Sequence, residues 1–195
     1  MIYNSYKEKW HIYWRENIYS NRRIYLEVIG NPPNAAKPFN WIWKSSSLPK
    51  QKFFFWLLLQ DRLNTWNLLT RKNFHIERTY CVLCDEEPME EYIHLFFSCD
   101  FSQNFWMPLR IEWNVDMNIN DMLLDGKKRN GTIFYKEIIM AGCWTLWKHG
   151  NGILFDHKQK DILYCINCFK EHFEIVIQKS KPSLKEGMQD WLDTL

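Results

Sequence analysis

The stretch CVLCDEEPMEEYIHLFFSC, residues 81–99, decides how this chain is built. It contains the pattern Cys81-x2-Cys84-x9-His94-x4-Cys99. Zinc prefers four tetrahedral nitrogen or sulfur ligands, and a two-residue gap lets paired cysteines bind from one tight turn. His94 and Cys99 are five positions apart, a spacing that a helical turn can bring to one ion. The alternative is a chance cluster, but the spacing favours one Zn²⁺, which is structural because four protein ligands leave no open position.

The same stretch is strongly acidic. Residues 81–100 carry six acids and no base, whereas residues 44–80 carry seven bases and two acids. Three thiolates on one Zn²⁺ add about one further negative charge. A nucleic-acid-binding segment gains affinity by placing Lys and Arg against phosphates. The charge pattern therefore predicts repulsion from a phosphate backbone, and it favours the bases of residues 1–80 as partners of the acidic stretch.

The composition is typical of a folded chain. Of the 195 residues, 46% are apolar and 17% are aromatic, including 11 Trp, far from a disordered composition. The longest apolar runs, at 53–59 and 138–147, are too short to span a bilayer. Charges near the N-terminus argue against export, and six cysteines then favour thiols or a metal over disulfides. We expect an intracellular protein of the cytoplasm or nucleus, with an arginine-containing N-terminal segment that leaves a mitochondrial destination open.

The apolar periodicity is helical nearly throughout, and strand signals are weak. The sequence therefore predicts a mainly α-helical fold organised around one structural zinc site. Ser5 and Glu8 have the spacing of a capping box before an aromatic helix, which should end before the linker GNPPNAAKP. We place an N-terminal aromatic helix and Pro-rich linker at 1–38, a zinc-binding domain at 39–113 and a C-terminal helical region packed on it at 114–195.

Two helices are predicted before the cysteines and one after them. The stretch SSSLP (45–49) offers a serine cap, with proline in the first turn of an apolar helix. Thr65 is a candidate cap for a second short helix, WNLLTRKN (66–73). After the cluster, SQNFWMPL (102–109) predicts a short helix stopped by Pro108.

The C-terminal region is predicted to alternate between turns and longer helices. NVDMNINDMLLDG (114–126) indicates a loop with one helical turn, and KKRNGT (127–132) indicates a basic turn. Helical periodicity resumes from Ile133 to His149, where Gly150 and Gly152 mark its end or a bend. A last long helix is expected from about Asp156 to Lys179, before a turn and a short terminal helix. Its apolar stripe consists of Ile162, Ile166, Phe169, Phe173 and Val176.

Most of residues 41–155 resembles the zinc-binding region that follows the polymerase in plant LINE-type reverse transcriptases. The resemblance implies a reverse-transcriptase-type zinc-binding domain, retroelement ancestry, and the ligands Cys81, Cys84, His94 and Cys99. It rests on Trp43, the proline and bases at 49–52, Phe55-Trp56, Arg62-Leu63, Thr65, Arg71, the four ligands, Glu91, Leu95-Phe96 and the stretch AGCWTLWKHGNGILF at 141–155.

The chain also departs from that family. It has no Tyr-x-Asp-Asp polymerase sequence and no spaced carboxylate set for an RNase H or endonuclease site. Gly150-Asn151-Gly152 stands where relatives usually continue with an Arg-Asn pair. The acids at 85–91 are too many like charges for a tuned acid–base pair, and no nucleophile set is legible. We expect a stand-alone derivative that is not an enzyme.

Two other groups of residues have the composition of candidate sites. Cys165-x2-Cys168 with His172 has helical spacing and no evident fourth ligand, which favours thiols packed against a core over a second metal site. The helix pair at 48–72 offers bases for phosphates, but its run FFFWLLL must bury a wide face, which favours a core hairpin. The bases concerned are Lys50, Lys52, Arg62, Arg71, Lys72 and Arg78.

Two functions are compatible with these features. The acidic zinc stretch favours a module that binds a host protein or another copy of itself, and that inhibits or poisons its partner. Trp10, Tyr13 and Trp14 are candidate anchors, because Trp and Tyr dominate interface hot spots. The alternative is a nucleic-acid-binding module of retrotransposon origin, for RNA or DNA, that would use the bases listed above.

Overall fold

A computed structural model describes residues 40–75, 80–84 and 91–195. These residues form helices and turns with no strand among them, which confirms the mainly α-helical fold. The predicted N-terminal helix, with Trp10, Tyr13 and Trp14, lies outside the described residues, as do Arg78 and the acids at 85–90. In chain order the elements are α1 (Asn40–Trp43), α2 (Pro49–Leu59), α3 (Trp66–Arg71), a π-helical turn (His94–Ser98), α4 (Asp100–Trp106), α5 (Ile119–Asn130), α6 (Tyr135–Asp156), α7 (Ile162–Lys179) and α8 (Pro182–Asp193).

Helix α6 is the central element of the unit Phe39–Leu195, to which all described residues belong. It packs against α2, α5, α7 and the π-helical turn. Gly142 allows a close approach, because a Cβ atom there would lie 2.3 Å from the Trp106 ring. Trp106 is fully buried and donates from Nε1 to the Phe96 carbonyl at 2.7 Å. The segments on either side of residue 113 thus share one core, centred on α6.

Helix α2 begins as the sequence predicts in one respect and differently in another. Pro49 occupies its first turn, as expected. The predicted serine cap is wrong, because the N-cap residue is Leu48, whose backbone N–H is accepted by Gln51 Oε1 at 2.9 Å. Ser45 instead donates to the Ile42 carbonyl at 2.7 Å and closes the turn after α1. The predicted Thr65 cap of α3 is confirmed by the Leu68 N–H, which Thr65 Oγ1 accepts.

The loop predicted at 114–126 and the basic turn predicted at 127–132 are largely wrong. Helix α5 covers Ile119–Asn130. Its N-cap is Asn118, whose side chain accepts from the N–H groups of Asn120 and Asp121. Lys127, Lys128 and Arg129 form its last turn, where cations complement the helix dipole. The left-handed Gly131, with φ of 69°, then ends it.

The end of a helix predicted at Gly150 and Gly152 is also wrong. Helix α6 continues through both residues to Asp156, and His157 in the left-handed conformation ends it. Helix α7 consequently starts at Ile162, capped by Asp161, and not near Asp156. Its predicted stripe is confirmed, since Phe169, Phe173 and Val176 are fully buried. Among the described residues, no helix is both long and apolar enough to cross a membrane.

Candidate metal centre

The first half of the centre is the turn Cys81–Cys84, which precedes the undescribed residues 85–90. Cys81 is buried and Cys84 is partly exposed. The backbone N–H groups of Leu83 and Cys84 donate to the Cys81 sulfur. Hydrogen bonds of this kind stabilise a thiolate, which is the form of cysteine that binds a metal. The Cys-x2-Cys spacing therefore produces a turn in which two backbone N–H groups donate to one of the two sulfurs.

The second half of the centre is the π-helical turn. The Cys99 N–H donates to the His94 carbonyl at 2.8 Å, a bond between residues five apart. Single π turns of this type are frequently found at functional sites. Cys99 then precedes α4, and the N–H groups of Phe101 and Ser102 donate to its sulfur. The five-residue spacing thus places the His94 imidazole and the Cys99 thiol on the same side of this turn. It also places the thiol at the N-terminus of α4.

The structure brings Cys81, Cys84, His94 and Cys99 together, with their ligand atoms all within 4.8 Å of one another. The sulfurs of Cys81 and Cys99 are 3.8 Å apart, and His94 Nε2 lies 3.3 Å from the Cys84 sulfur. Zn–S bonds of about 2.3 Å in a tetrahedron separate two sulfurs by about 3.8 Å. The four side chains therefore have the donor types and the spacing that fit one zinc ion.

The electrostatics of the two buried sulfurs differ. The Cys81 thiol donates to the Cys99 sulfur, and this bond lowers the pKa of Cys99 to about 6 despite its burial. The same bond, together with burial, raises the pKa of Cys81. Of the two buried sulfurs, Cys99 is therefore the one on which these hydrogen bonds favour the thiolate. Binding of a metal releases the remaining thiol protons, because cysteine binds metals as the thiolate.

Two contacts around the centre orient its ligands. Ser98 Oγ lies 3.4 Å from His94 Nδ1, on the ring nitrogen opposite the cluster, where metal-binding histidines usually have a hydrogen-bond partner. Gly150 of α6 faces the cysteine turn, and a Cβ atom there would lie 3.2 Å from Val82 Cγ1. Gly150 therefore lets the central helix pack directly on the turn. A zinc ion bound to the four side chains would join that turn to the π-helical turn, which follows it in the sequence.

The described residues contain no other group of three or more side chains placed to hold a metal ion. Cys165 is fully buried in the core, Cys168 is partly exposed, and His172 Nδ1 lies 3.1 Å from Thr145 Oγ1. Cys143 is fully buried as well. These findings agree with the interpretation of Cys143 and Cys165 as core residues.

The predicted nucleic-acid-binding bases make contacts within the described unit. Lys50 Nζ lies over the Trp144 ring, 5.5 Å from its centroid. Lys52 donates to the Trp43 carbonyl, and Lys72 donates to Asn64 Oδ1. Arg71 forms an ion pair with Asp61, whereas Arg62 is exposed. Four of the five described bases therefore have a partner inside the chain.

An apolar groove next to the cysteine turn was not foreseen from the sequence. It consists of two adjoining cavities of about 330 and 190 Å³ that share Trp66, Val82 and Leu154. The described polar residues of the larger cavity are Asn64 and Asn151, and those of the smaller are Tyr80, Cys81, His157 and Lys160. Its walls come from α3, the metal centre and the last turns of α6, which are far apart in sequence. The signal that could have found it is Gly150, which allows α6 to approach the turn.

The fold and the cluster place the described residues among helical proteins with a Cys3His site that could hold one zinc ion. Residues 19–106 match the family model described as zinc-binding in reverse transcriptase. The match contains all four cluster residues and favours zinc as the ion; it ends at Trp106, before the stretch 141–155. No curated protein and no solved structure matches the chain. The plant origin and the stand-alone descent inferred from the sequence stay predictions.

Proposed function

We propose that this chain is a non-enzymatic, zinc-stabilised helical module of retroelement descent that binds another protein through the apolar groove. The partner presents aliphatic or aromatic side chains on one face of a helix. Binding of a host protein in this groove would inhibit that host protein. Binding of a second copy and binding of nucleic acid are the competing outcomes that the experiment below distinguishes.

The position of the groove on the metal centre carries the proposal. Val82 lies between two of the cluster cysteines, Leu95 follows His94, and both side chains line the larger cavity. A metal ion held by the cluster would therefore fix two walls of the groove. With all four positions taken by protein ligands, such an ion stabilises structure and has no open position for a substrate. This arrangement supports a binding role for the module.

The dimensions of the groove favour a helical partner segment. The α6 residues that line it run from Leu146 to Phe155, roughly 14 Å along the helix axis at 1.5 Å per residue. Two anchors at positions i and i+7 of a partner helix are separated by roughly 10 Å. The groove thus has room for two such anchors. Phe155, at its edge, is 72% exposed, so a partner that covers it would remove a large aromatic side chain from water.

Nucleic-acid binding has less support from the described residues. The apolar walls offer few donors for phosphate oxygens. Lys50, Lys52 and Lys72 already make contacts within the chain. Stacking of bases on exposed aromatic side chains is the route by which the alternative could still operate.

The test uses the full chain with zinc and a displayed library of random peptides. We expect enrichment of peptides with apolar or aromatic residues spaced i and i+7. Phe155→Arg should weaken the selected peptides at least about tenfold, equivalent to about 1.4 kcal/mol. The matched control is Ile133→Arg, since Ile133 is 74% exposed and lines neither cavity.

Three outcomes would overturn the proposal. No peptide is enriched, or both variants weaken binding equally, or labelled RNA or DNA binds in the nanomolar range at physiological ionic strength while peptides do not. The last outcome would put nucleic-acid binding first. Concentration-dependent dimerisation that is lost in Phe155→Arg would instead assign the groove to a second copy of the chain.

A further inference from the structure

The loop between α1 and α2 is held by two side chains from different helices. Glu137 of α6 accepts the Ser46 N–H through Oε1 at 2.8 Å. Gln51 of α2 accepts the Leu48 N–H through Oε1 at 2.9 Å. The two bonded residues flank Ser47 in the chain. Both polar side chains therefore converge on the backbone around Ser47.

Ser47, Gln51 and Glu137 each have a buried polar side-chain atom with no hydrogen-bond partner in the described part of the chain. The atoms are Ser47 Oγ, Gln51 Nε2 and Glu137 Oε2. The residues are 3%, 0% and 1% exposed. Buried polar groups in native proteins are almost always paired, with protein or with ordered water. All three atoms belong to residues at this one short loop, so one small molecule could pair with all of them.

The donor and acceptor types of the three atoms define the chemistry of that partner. The Gln51 amide is oriented by its bond to the Leu48 N–H, so its Nε2 atom can only donate. Glu137 Oε2 accepts in the ionised carboxylate, and a serine hydroxyl can do either. An amide donor disfavours a metal cation, and a carboxylate disfavours an anion. A neutral molecule that both donates and accepts satisfies all three groups.

We propose that Ser47, Gln51 and Glu137 bind one internal water molecule. The water accepts from Gln51 Nε2, donates to Glu137 Oε2 and exchanges a hydrogen bond with Ser47 Oγ, which gives it the three bonds typical of buried waters. It ties the α1–α2 loop to the central helix. The loop lies within the range matched by the reverse-transcriptase family model, whereas α6 lies beyond it. The bound water thus connects the family-like part of the chain to its C-terminal helices.

The first test is a high-resolution crystal structure of the full chain with zinc. We expect one ordered solvent peak within about 3.2 Å of Ser47 Oγ, Gln51 Nε2 and Glu137 Oε2. Direct hydrogen bonds among the three side chains, with no peak between them, would overturn the proposal. So would a cation with oxygen ligands at roughly 2.0–2.6 Å.

The second test counts long-lived internal waters in solution by magnetic relaxation dispersion of the water oxygen. The double variant Gln51→Met with Glu137→Met should lose one long-lived water relative to the wild type. The control is Ser45→Ala, in the same loop, because Ser45 Oγ already donates to the Ile42 carbonyl. It should keep the count. An unchanged count in a folded double variant would contradict the proposal, and if that variant does not fold, the crystal structure decides.

Discussion

The chain contains the Cys-x2-Cys spacing twice, and the two copies behave differently. Cys81 and Cys84 lie in a turn, and with His94 and Cys99 they bring four ligand atoms within 4.8 Å. Cys165 and Cys168 lie inside α7 with His172, and they belong to no such group among the described residues. The spacing alone therefore does not make a metal site. The backbone in which it occurs decides whether the sulfurs can face one ion.

The reason lies in the backbone N–H groups. In the turn, the N–H groups of Leu83 and Cys84 are available to the Cys81 sulfur. In the interior of α7 such groups are used by the helix ladder. Burial there raises the pKa of the Cys165 thiol, so it stays neutral and packs as an apolar side chain. The hydrogen bond to Cys99 and burial raise the pKa of Cys81 as well, but the backbone N–H groups of the turn oppose that rise, whereas burial acts on Cys165 without them.

The largest expected effect is that of Cys81→Ser. Loss of one thiolate would weaken the candidate zinc site, and the total binding free energy of structural zinc reaches roughly 10–16 kcal/mol in zinc-finger peptides, as large as the stability of a whole domain. We expect loss of stoichiometric zinc and of much of the helical circular dichroism. Metal analysis and far-ultraviolet circular dichroism measure the two effects. A variant that keeps one zinc per chain and full helicity would contradict the assignment of the centre.

The corresponding change in the second region is Cys165→Ser. It places a hydroxyl in a fully buried site and should lower the free energy of unfolding by about 1–3 kcal/mol. The zinc content should stay at the wild-type value, because Cys165 lies outside the cluster. Chemical denaturation combined with metal analysis separates the two effects. Loss of zinc in a folded Cys165→Ser protein would contradict the conclusion that Cys165 takes no part in metal binding.

The packing of α6 against the cysteine turn gives a smaller effect with its own internal control. Alanine in place of glycine inside a helix normally stabilises by about 0.5–1 kcal/mol. At Gly152 the added Cβ atom lies 3.0 Å from Lys158 Cδ, which is flexible and can move. At Gly150 it lies 3.2 Å from Val82 Cγ1, which is fixed between two cluster cysteines.

We therefore expect Gly152→Ala to stabilise the fold. The Gly150→Ala variant should be less stable than Gly152→Ala by about 1 kcal/mol, and it should bind zinc more weakly than the wild type. Competition with a zinc chelator and thermal unfolding measure the two quantities. Equal stabilisation by both substitutions would show that α6 does not press on the turn.

The cluster could be predicted from the sequence because its determinants are local. Two residues between Cys81 and Cys84, and four between His94 and Cys99, are distances that one turn spans. Thr65 and Pro49 were informative for the same reason, since a helix start depends on a few neighbouring residues. The stripe on α7 followed from periodicity within one helix.

The remaining features depend on contacts between distant segments. Gly150 and Gly152 read as breakers in isolation, but the space that Gly150 leaves is filled by Val82 from another segment. The Leu48 N–H at the start of α2 is accepted by Gln51, and the serine loop before it is held by Glu137 of α6. The apolar groove likewise combines α3, the metal centre and α6. Periodicity along one chain carries no information about which of these segments meet.

The smallest expected effect is that of Cys168→Ser, and it is the most direct comparison with Cys81→Ser. Both substitutions remove one sulfur from a Cys-x2-Cys pair, but Cys168 is partly exposed and belongs to no metal-binding group among the described residues. The free energy of unfolding of the Cys168→Ser protein should differ from that of the wild type by less than about 0.5 kcal/mol, as for most surface substitutions. Zinc stoichiometry and affinity should match the wild type. Weaker zinc binding in a competition titration with this variant would mean that the second copy of the motif also contributes to holding the ion. The backbone conformation around each pair would then not decide which pair binds the metal.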